Sequence, residues 1–412
     1  MFKKPAFAFM GLVCFFYFTA SNVFSLDETN NKVLIGINLP LTGAYQNQGE
    51  DEFRAYKLAI DKINTEGGLL GKKVVFELKH LATNVDTSRE NVKAFISKGA
   101  VMITGGVSSA CAVAQAKECA ASNVLFFPAV TNSNEVTGVR GGSKYSFRWY
   151  NSATQTARAL AKTLVEKYGK NAKYAVLYAD YSWGRDLQEE MQKVIESAGC
   201  KIISKQSISV GTRSFVPALL KVKSSDADVI VLILYGEYMI SALKQANSMG
   251  LTGSKKIVVP LMELHMAKEI GHNILKGVVT SMPWYHDTAL KYKGSREFVD
   301  LFEARYKKKP GDAAAVAWVN ILQYAEAVKR AKSFDYVNVI KALEGHKFTL
   351  LYDEEYWRDW DHQGIHNTIV AEGKSMDESK DIWDLFNIIS IKKGDEISPS
   401  REENPVKLEP IL

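Results

Sequence analysis

Cysteine is scarce in this chain: four in 412 residues, three of them beyond residue 25. Three thiols cannot pair completely. Cys111 and Cys119 lie eight apart on one predicted helix, about 12 Å along its axis, beyond disulfide reach. Stability must therefore come from core packing. No CxxC and no Cys/His metal spacing occurs, so neither a metal site nor a cofactor is expected. Catalytic signatures are missing too. There is no HExxH, no P-loop and no nucleophile elbow, and the turn GGVSS (Gly105–Ser109) lacks dinucleotide-fingerprint spacing. The seven histidines are scattered. The closest pair, His362 and His366, has helical spacing, but Gly364 between them argues against a helix and for a structural or rim role. Net charge is only +6, and no basic run interleaves with aromatics, which argues against nucleic acid. Lys307–Lys309 reads as a solvated helix end before Pro310. Beyond the N-terminus no apolar run is long enough to cross a bilayer. ADVIVLILYG (Ala227–Gly236) is a buried strand by length.

The N-terminus differs from the rest. Lys3 and Lys4 precede an apolar run from Ala6 to Phe18, and small or polar residues follow to Ser25. This is the pattern of a secretory signal peptide over residues 1–25, cleaved after Ser25, with Ala20 as the other option. An uncleaved anchor is the alternative, for which the run is short. Cys14 lacks the small-residue context of a lipoprotein. Removing residues 1–25 takes away two lysines and no acid, so the charge falls from +6 to +4.

What the sequence does contain is one series of elements run twice. Lys32–Pro40 reads as a strand, Phe53–Asn64 as a helix, Lys73–Leu81 as a strand and Thr87–Lys98 as a helix. Ala100–Gly105, Ala110–Ser122 and Val124–Val130 continue it as strand, helix and strand. At Lys173 the cycle restarts: strand Lys173–Asp180, helix Asp186–Ser197, strand CKIISKQSI, helix Phe215–Lys223, strand Ala227–Gly236, helix Met239–Met249, strand Lys256–Leu261. The strands VLIGI, VMITG, VLFFPA, YAVLYA and VIVLIL are nearly continuous apolar runs, as in parallel sheets covered by helices on both faces. EGGLLGKK, ESAGCK and NSMGL supply glycines at helix ends. The expected fold is α/β, with two doubly wound parallel-sheet lobes and a cleft between them. Such clefts commonly hold small ligands.

After Leu261 the repeat loosens. Gly277–Tyr285 reads as a strand, followed by helices Ser295–Lys308, Asp312–Ala331 and Tyr336–Glu344. The run DAAAVAW is rich in small residues and should pack closely. NTIVAEG and DLFNIISI are further strands. Residues 396–412 are polar and proline-containing, and read as a flexible tail.

Ligands of open parallel sheets bind beyond the carboxyl ends of strands. Here those ends are Pro40–Gly49, Gly105–Ser109, Ala129–Asn132, Asp180–Gly184, Tyr235–Tyr238 and Leu261–Glu263. At Ser108 and Ser109 a strand passes straight into a helix N-terminus. Free N–H groups, the helix dipole and two hydroxyls suit a carboxylate, although either serine can equally be a plain N-cap. Thr131 can be a binding hydroxyl or a strand-end turn residue. Trp183 and Tyr235 hold matching places in the second repeat, as ligand lids or as packing.

The sequence resembles the type I periplasmic substrate-binding proteins of the branched-chain amino acid class. The resemblance runs from about Lys32 to Ile391. It rests on IGINLPLTGAYQNQGEDEFRAYKLAIDKINTEGGLLGKK, GGVSSACA, FFPAVTNSNEVT, YADYSWGRDL and LKQANSMGL, in that order and spacing. It implies three crossings between the lobes, near Phe147–Asn151, Met282–Tyr285 and Leu350–Tyr356. Lobe 1 would be residues 32–147 with 284–350, and lobe 2 residues 148–283 with 351–395. It implies that Ser108 and Ser109 take the ligand carboxylate and that Ala129 and Thr131 contact the head group. Trp183 and Tyr235 would close over the ligand, Gln48 would touch its side chain, and Glu263, or failing it Glu237, would pair its ammonium. The cysteine pair of some relatives is absent near the carboxylate site, where Val107 stands. Trp183, Trp284 and Tyr285 add aromatic surface, which leaves amide, urea-like and aromatic carboxylate ligands open beside amino acids.

The function implied is non-enzymatic. A monomeric periplasmic protein would close on a small ligand and deliver it to the membrane permease of an ABC importer. The alternatives are a ligand sensor signalling to a receptor, and an enzyme with an unrecognised site.

Overall fold

The computed structural model describes residues 31–139 and 141–409; the signal peptide expected at 1–25 lies outside them. The first sheet contains β1 (Lys32–Leu39), β2 (Lys73–His80), β3 (Met102–Thr104) and β4 (Leu125–Phe127). All pairings are parallel, in the order β2-β1-β3-β4. Helices Gln46–Thr65, Val85–Ser97 and Ser109–Ala121 connect them. The second sheet repeats the plan with β5 (Lys173–Ala179), β6 (Lys201–Ile208), β7 (Val229–Ile233), β8 (Lys256–Val259) and β9 (Val279–Met282). Three short strands, β10 (Lys347–Phe348), β11 (Glu355–Trp357) and β12 (Gly364–Ile365), form a small antiparallel sheet. Strands β13 (Thr368–Gly373) and β14 (Phe386–Lys392) then join the second sheet, giving β14-β13-β9-β8-β7-β5-β6.

The second sheet is therefore parallel over its doubled portion, with an antiparallel pair at one edge. Every residue of β7 is buried, which is why its sequence is apolar without alternation. At the other edge, β6 places Lys201, Ile203, Lys205 and Ser207 in solvent and half-buries the residues between them. Lysines on such an edge discourage pairing with another chain.

Helix Asp312–Ala331 lies along Gln46–Thr65 in the first lobe. Ala313, Ala314, Ala315 and Ala317 are all fully buried, so the small-residue run brings this helix close to its neighbours. The N-cap of the helix Ala153–Tyr168 is a reciprocal Ser152–Gln155 capping box, which satisfies otherwise orphaned N–H groups at a buried start.

The chain passes between lobes at three places. Phe147 N–H donates to Phe126 O in the first sheet, and Arg148 N–H donates to His362 O. Beyond Met282, which pairs with Ile369, the chain returns to the first lobe through helix Lys293–Tyr306. The last passage lies further along than Leu350–Tyr356. Tyr356 pairs with Lys347 and Ile365 in the small sheet, and the second sheet is joined only at Thr368. His362 and His366 flank this passage, stacked on Phe147 and Trp149 with ring centroids 3.9 and 4.0 Å apart.

The terminal polar segment is tied to both lobes. Arg158 pairs with Glu403 at 2.6 Å. Asn404 Nδ2 donates to Thr137 O and Asp361 Oδ2, at 3.2 and 3.0 Å. Val406 is buried. Its polar residues find fixed partners, a property that composition does not display.

Candidate functional site

Strand order reverses between β1 and β3 in the first sheet and around β5 and β7 in the second. Crevices for ligands open at such reversals, beyond the carboxyl ends of the strands. The residues following β1, β3, β5 and β7 meet across the cleft.

From the first lobe, β3 runs into Gly105 and Gly106, at φ 109° and 102°. A side chain at Gly105 would stand 2.8 Å from Leu39 Cδ2 and 2.9 Å from Asn38 O, so only glycine fits this turn. Ser108 is the N-cap of helix Ser109–Ala121, its Oγ accepting from Cys111 N–H at 3.5 Å. Ser109 Oγ accepts from Ser133 N–H at 3.2 Å. Beyond β4, Val130 N–H donates to Gly106 O at 3.0 Å, and Thr131 N–H to Ala129 O at 2.8 Å. Ala129 and Thr131 are fully buried. Thr131 Oγ1 has no hydrogen-bond partner among the described residues. Buried hydroxyls are normally paired, so this one is free for a donor or acceptor brought into the cleft.

From the second lobe come Trp183 and Tyr235, 4% and 5% exposed, with ring centroids 6.1 Å apart. Trp183 Nε1–H donates to Asn132 Oδ1 at 3.0 Å. Two aromatics that sequence reasoning did not select complete the group. Tyr45 lies 6.1 Å from the Tyr235 ring, and its hydroxyl is 3.4 Å from that of Tyr181. Both lie on strand-end loops already singled out, beside chosen residues, so position alone could have flagged them. Together Ser109, Val130, Asn132, Tyr181, Trp183 and Tyr235 line most of a narrow cavity of about 10 Å³, scarcely the room of one water.

The lobes touch closely here. Glu237 N–H donates to Ala44 O at 3.3 Å. A Cβ at Gly236, where φ is 59°, would stand 2.4 Å from Ala44 O and 2.8 Å from the Tyr45 ring. Ser133 Oγ donates to Asp186 Oδ2. Arg148, fully buried, donates to Thr131 O, Ser133 O, Thr137 Oγ1 and Gln363 Oε1. It thereby ties the Thr131 loop to the hinge segment.

Gln48 and Glu263 are both buried and meet each other: Gln48 Nε2–H donates to Glu263 Oε2 at 2.9 Å. Glu263 also caps helix Leu264–Ile270, accepting from His265 and Met266 N–H. Burial pushes its carboxyl above the ordinary range, opposed by the nearby His265. Burial works against the charge on His265, but Asp51 and Glu263 outweigh it and hold the imidazole at about 9. The Glu237 side chain, by contrast, is exposed at the start of helix Glu237–Ser248. A larger groove of about 310 Å³ lies by the hinge at Arg148 and Asn404. Another, of about 730 Å³, lies at the amino ends of β7, β8 and β9. Neither gathers the strand carboxyl ends.

The fold is that of a two-lobed α/β protein with a cleft lined from both sides. The chain belongs to the periplasmic binding protein family, whose model matches residues 32–380. It is 25% identical over 331 residues to the Leu/Ile/Val-binding protein homolog 8 of Brucella abortus (strain 2308), covering 76% of this chain and 80% of that protein. An amino acid ABC transporter substrate-binding protein from Pseudomonas fluorescens Pf-5 superposes with a TM-score of 0.85 at 23% identity, over 92% of this chain and 99% of that one. The solute binding protein of an ABC transporter from Rhodopseudomonas palustris BisB5, in complex with 3,4-dihydroxy benzoic acid, gives 0.79 at 21% identity, over 88% and 98%. At these identities the structural likeness establishes the fold, periplasmic binding protein type I.

Proposed function

We propose that this protein captures a small amino acid, or a related carboxylate or amide, in the cleft and delivers it to the permease of an ABC importer. The observation that carries the reading is the convergence of strand-end residues from both lobes on one cavity, in a chain that matches the family over residues 32–380. Relatives described as Leu/Ile/Val-binding and amino acid ABC transporter proteins support the ligand class and the permease partner.

The carboxylate end of the ligand sits at Ser108, Ser109 and the N–H groups starting helix Ser109–Ala121, where the helix dipole favours an anion. Thr131 and Ala129 hold the head group. Trp183 and Tyr235 cover the ligand, Gln48 borders its side chain, and Glu263 faces its ammonium. Two bodies, built on the two large sheets, rotate about the three passages. Closure is a population shift, driven by contacts that exist only when the lobes meet. The protein acts as a periplasmic monomer after loss of residues 1–25, with no cofactor and no chemical step.

A thermal-shift screen of the mature protein against amino acids, amides, urea and aromatic acids tests this. Ligands of the proposed class should raise the melting temperature by linkage. Steady conversion of a hit into product, or silence across the panel, would contradict the proposal.

A further inference from the structure

The groove of about 310 Å³ beside the hinge is walled by both lobes, by the last passage between them and by the terminal segment. Thr137 comes from the first lobe, Arg158 and Lys193 from the second, Gln363 from the passage and Asn404 from the tail. It lies apart from the strand carboxyl ends. The tail that closes one side of it lies beyond residues 32–380, the stretch that the family model matches.

Charge in its wall does not balance. Arg148, Arg158, Lys193 and Arg358 are the cations; Glu190, Asp361 and Glu403 are the acids. Four less three leaves one positive charge, and the pairing shows where it resides. Arg158 takes Glu403 at 2.6 Å, Lys193 takes Glu190 at 2.6 Å, and Arg358 holds Asp361 through two bonds. Arg148 is left over. It is fully buried, and among the described residues no carboxylate lies at salt-bridge distance from it.

The acceptors of Arg148 are all neutral: Gln363 Oε1 at 2.8 Å, Thr131 O at 3.3 Å, Ser133 O, and Thr137 Oγ1 at 2.6 Å. A guanidinium carries five N–H groups. These bonds use four and leave one on Nη2 without a partner among the described residues. Neutral acceptors satisfy donors but do not cancel charge, and a buried charge with no counterion is strongly unfavourable. Burial pushes the guanidinium down to about 9, which leaves it a cation at neutral pH. Asp361, the acid that most favours its charge, is already engaged by Arg358.

We propose that this groove is a second binding site, for a small singly charged anion, a halide or a monocarboxylate, which supplies the countercharge that Arg148 lacks.

The volume, about 310 Å³, is roughly ten times the ~30 Å³ share of one water, room for such an anion with part of its hydration. A polyanion would meet Glu190, Asp361 and Glu403 in the same wall, so the charge count selects a single charge. Arg148 holds the carbonyls of Thr131 and Ser133. The anion therefore acts from behind on a loop that borders the cleft, without entering the cleft. The inference is independent of which ligand the cleft takes.

The test is titration of the unliganded mature protein with bromide and with acetate, read by melting temperature at constant ionic strength. A crystal structure with the tighter of the two locates the ion. Asn134 Oδ1, in the groove wall, accepts from Thr154 N–H and Oγ1–H, so Asn134→Asp keeps both bonds and adds a fixed carboxylate. The melting temperature of the natural protein should rise saturably with anion. Asn134→Asp should weaken the apparent affinity about tenfold or more. General salt effects act on both proteins alike and cancel in the comparison. Arg148→Met should abolish the rise; if that variant does not fold, Asn134→Asp reads the same dependence with Arg148 present. Tighter binding of acetate assigns a carboxylate and tighter binding of bromide a halide, and either upholds the site. No saturable rise, a rise equal in Asn134→Asp, or an ion located outside the groove overturns it. So does an ion found in the groove without a saturable rise, which would be an adventitious ion only.

Discussion

Gln48 of the first lobe donates a hydrogen bond to Glu263 of the second, Nε2 to Oε2, at 2.9 Å with both side chains buried. The pair joins residues that the sequence places 215 positions apart. It also joins a family-expected side-chain contact to a family-expected ammonium partner, across the surface that must open to admit a ligand. Gln48→Ala should leave each lobe folded but weaken the closed arrangement, because Glu263 keeps its burial and loses a donor. A buried acceptor stranded in this way costs about 1–3 kcal/mol. Small-angle scattering should show a larger radius of gyration for the variant at equal ligand concentration; an unchanged radius would remove the pair from the closing surface.

Thr131 separates binding from stability. Its Oγ1 has no partner within the protein, so Thr131→Val keeps the shape and removes an unsatisfied hydroxyl. The melting temperature of the unliganded variant should hold or rise. Ligand affinity should fall by about 1–3 kcal/mol, the usual cost of a lost buried polar contact. Equal losses of stability and affinity would make Thr131 a structural residue only.

At Gly236 the backbones of the two lobes approach closely. Gly236→Ala forces a side chain against Ala44 O and the Tyr45 ring, at a positive φ that costs about 1 kcal/mol or more by itself. The lobes should still fold, with thermal melting only modestly lowered, while ligand-induced closure is lost. Normal binding in a titration would show that the contact with Ala44 is not required.

Two largely buried groups, His265 and Asp312, set a pH dependence with a definite sign. His265 is raised from 6.5 to about 9, and Asp312 from 3.8 to about 8. Both bind protons more tightly folded than unfolded. Their contributions are present in full below the unfolded values and fade as pH rises through the folded ones. From these two groups the melting temperature of the unliganded protein should therefore fall from about pH 4 to 9, most steeply between about 6.5 and 8 where both contribute. Asp312→Asn should flatten the part of that fall that lies below about pH 8. A melting temperature constant over this range would contradict the assignment.

The C-terminal segment should matter more than its composition suggests. Removing residues 399–412 exposes Arg158, Asp361 and Thr137, which bind Glu403 and Asn404. The exposed Arg158–Glu403 pair contributes little, about 0–1 kcal/mol. The Asn404 bonds and the burial of Val406 should make the truncation measurably destabilising in a chemical denaturation. An unchanged midpoint would mark the segment as dispensable.

Much of the lobes is legible because strands such as VIVLIL are buried on both faces, and burial on both faces writes itself as an unbroken apolar run. Strand ends follow from those runs, so Ser108, Thr131, Trp183 and Tyr235 can be chosen before any coordinates exist. The structure brings Ser109, Trp183 and Tyr235 to one cavity and Gln48 to Glu263. Asp312 was not legible as a neighbour of Glu263. It opens a helix that carries no strand-end signal and reaches Glu263 only through the third dimension. Tyr45 and Tyr181 are hidden for a milder reason, since an aromatic in a loop beside other candidates looks like packing until its partner across the cleft is known. The terminal segment is misjudged because its partners, Thr137, Arg158 and Asp361, are distant in sequence.

The central claim is that the two lobes close on a small ligand without transforming it. Small-angle scattering of the mature protein, with and without the tightest binder from the amino acid panel, tests this most directly, with the recovered ligand checked by mass. The liganded profile should match the closed arrangement described here, the unliganded profile should be more extended, and the ligand should be recovered unchanged. Identical profiles in both states, or a ligand recovered as product, would contradict the account.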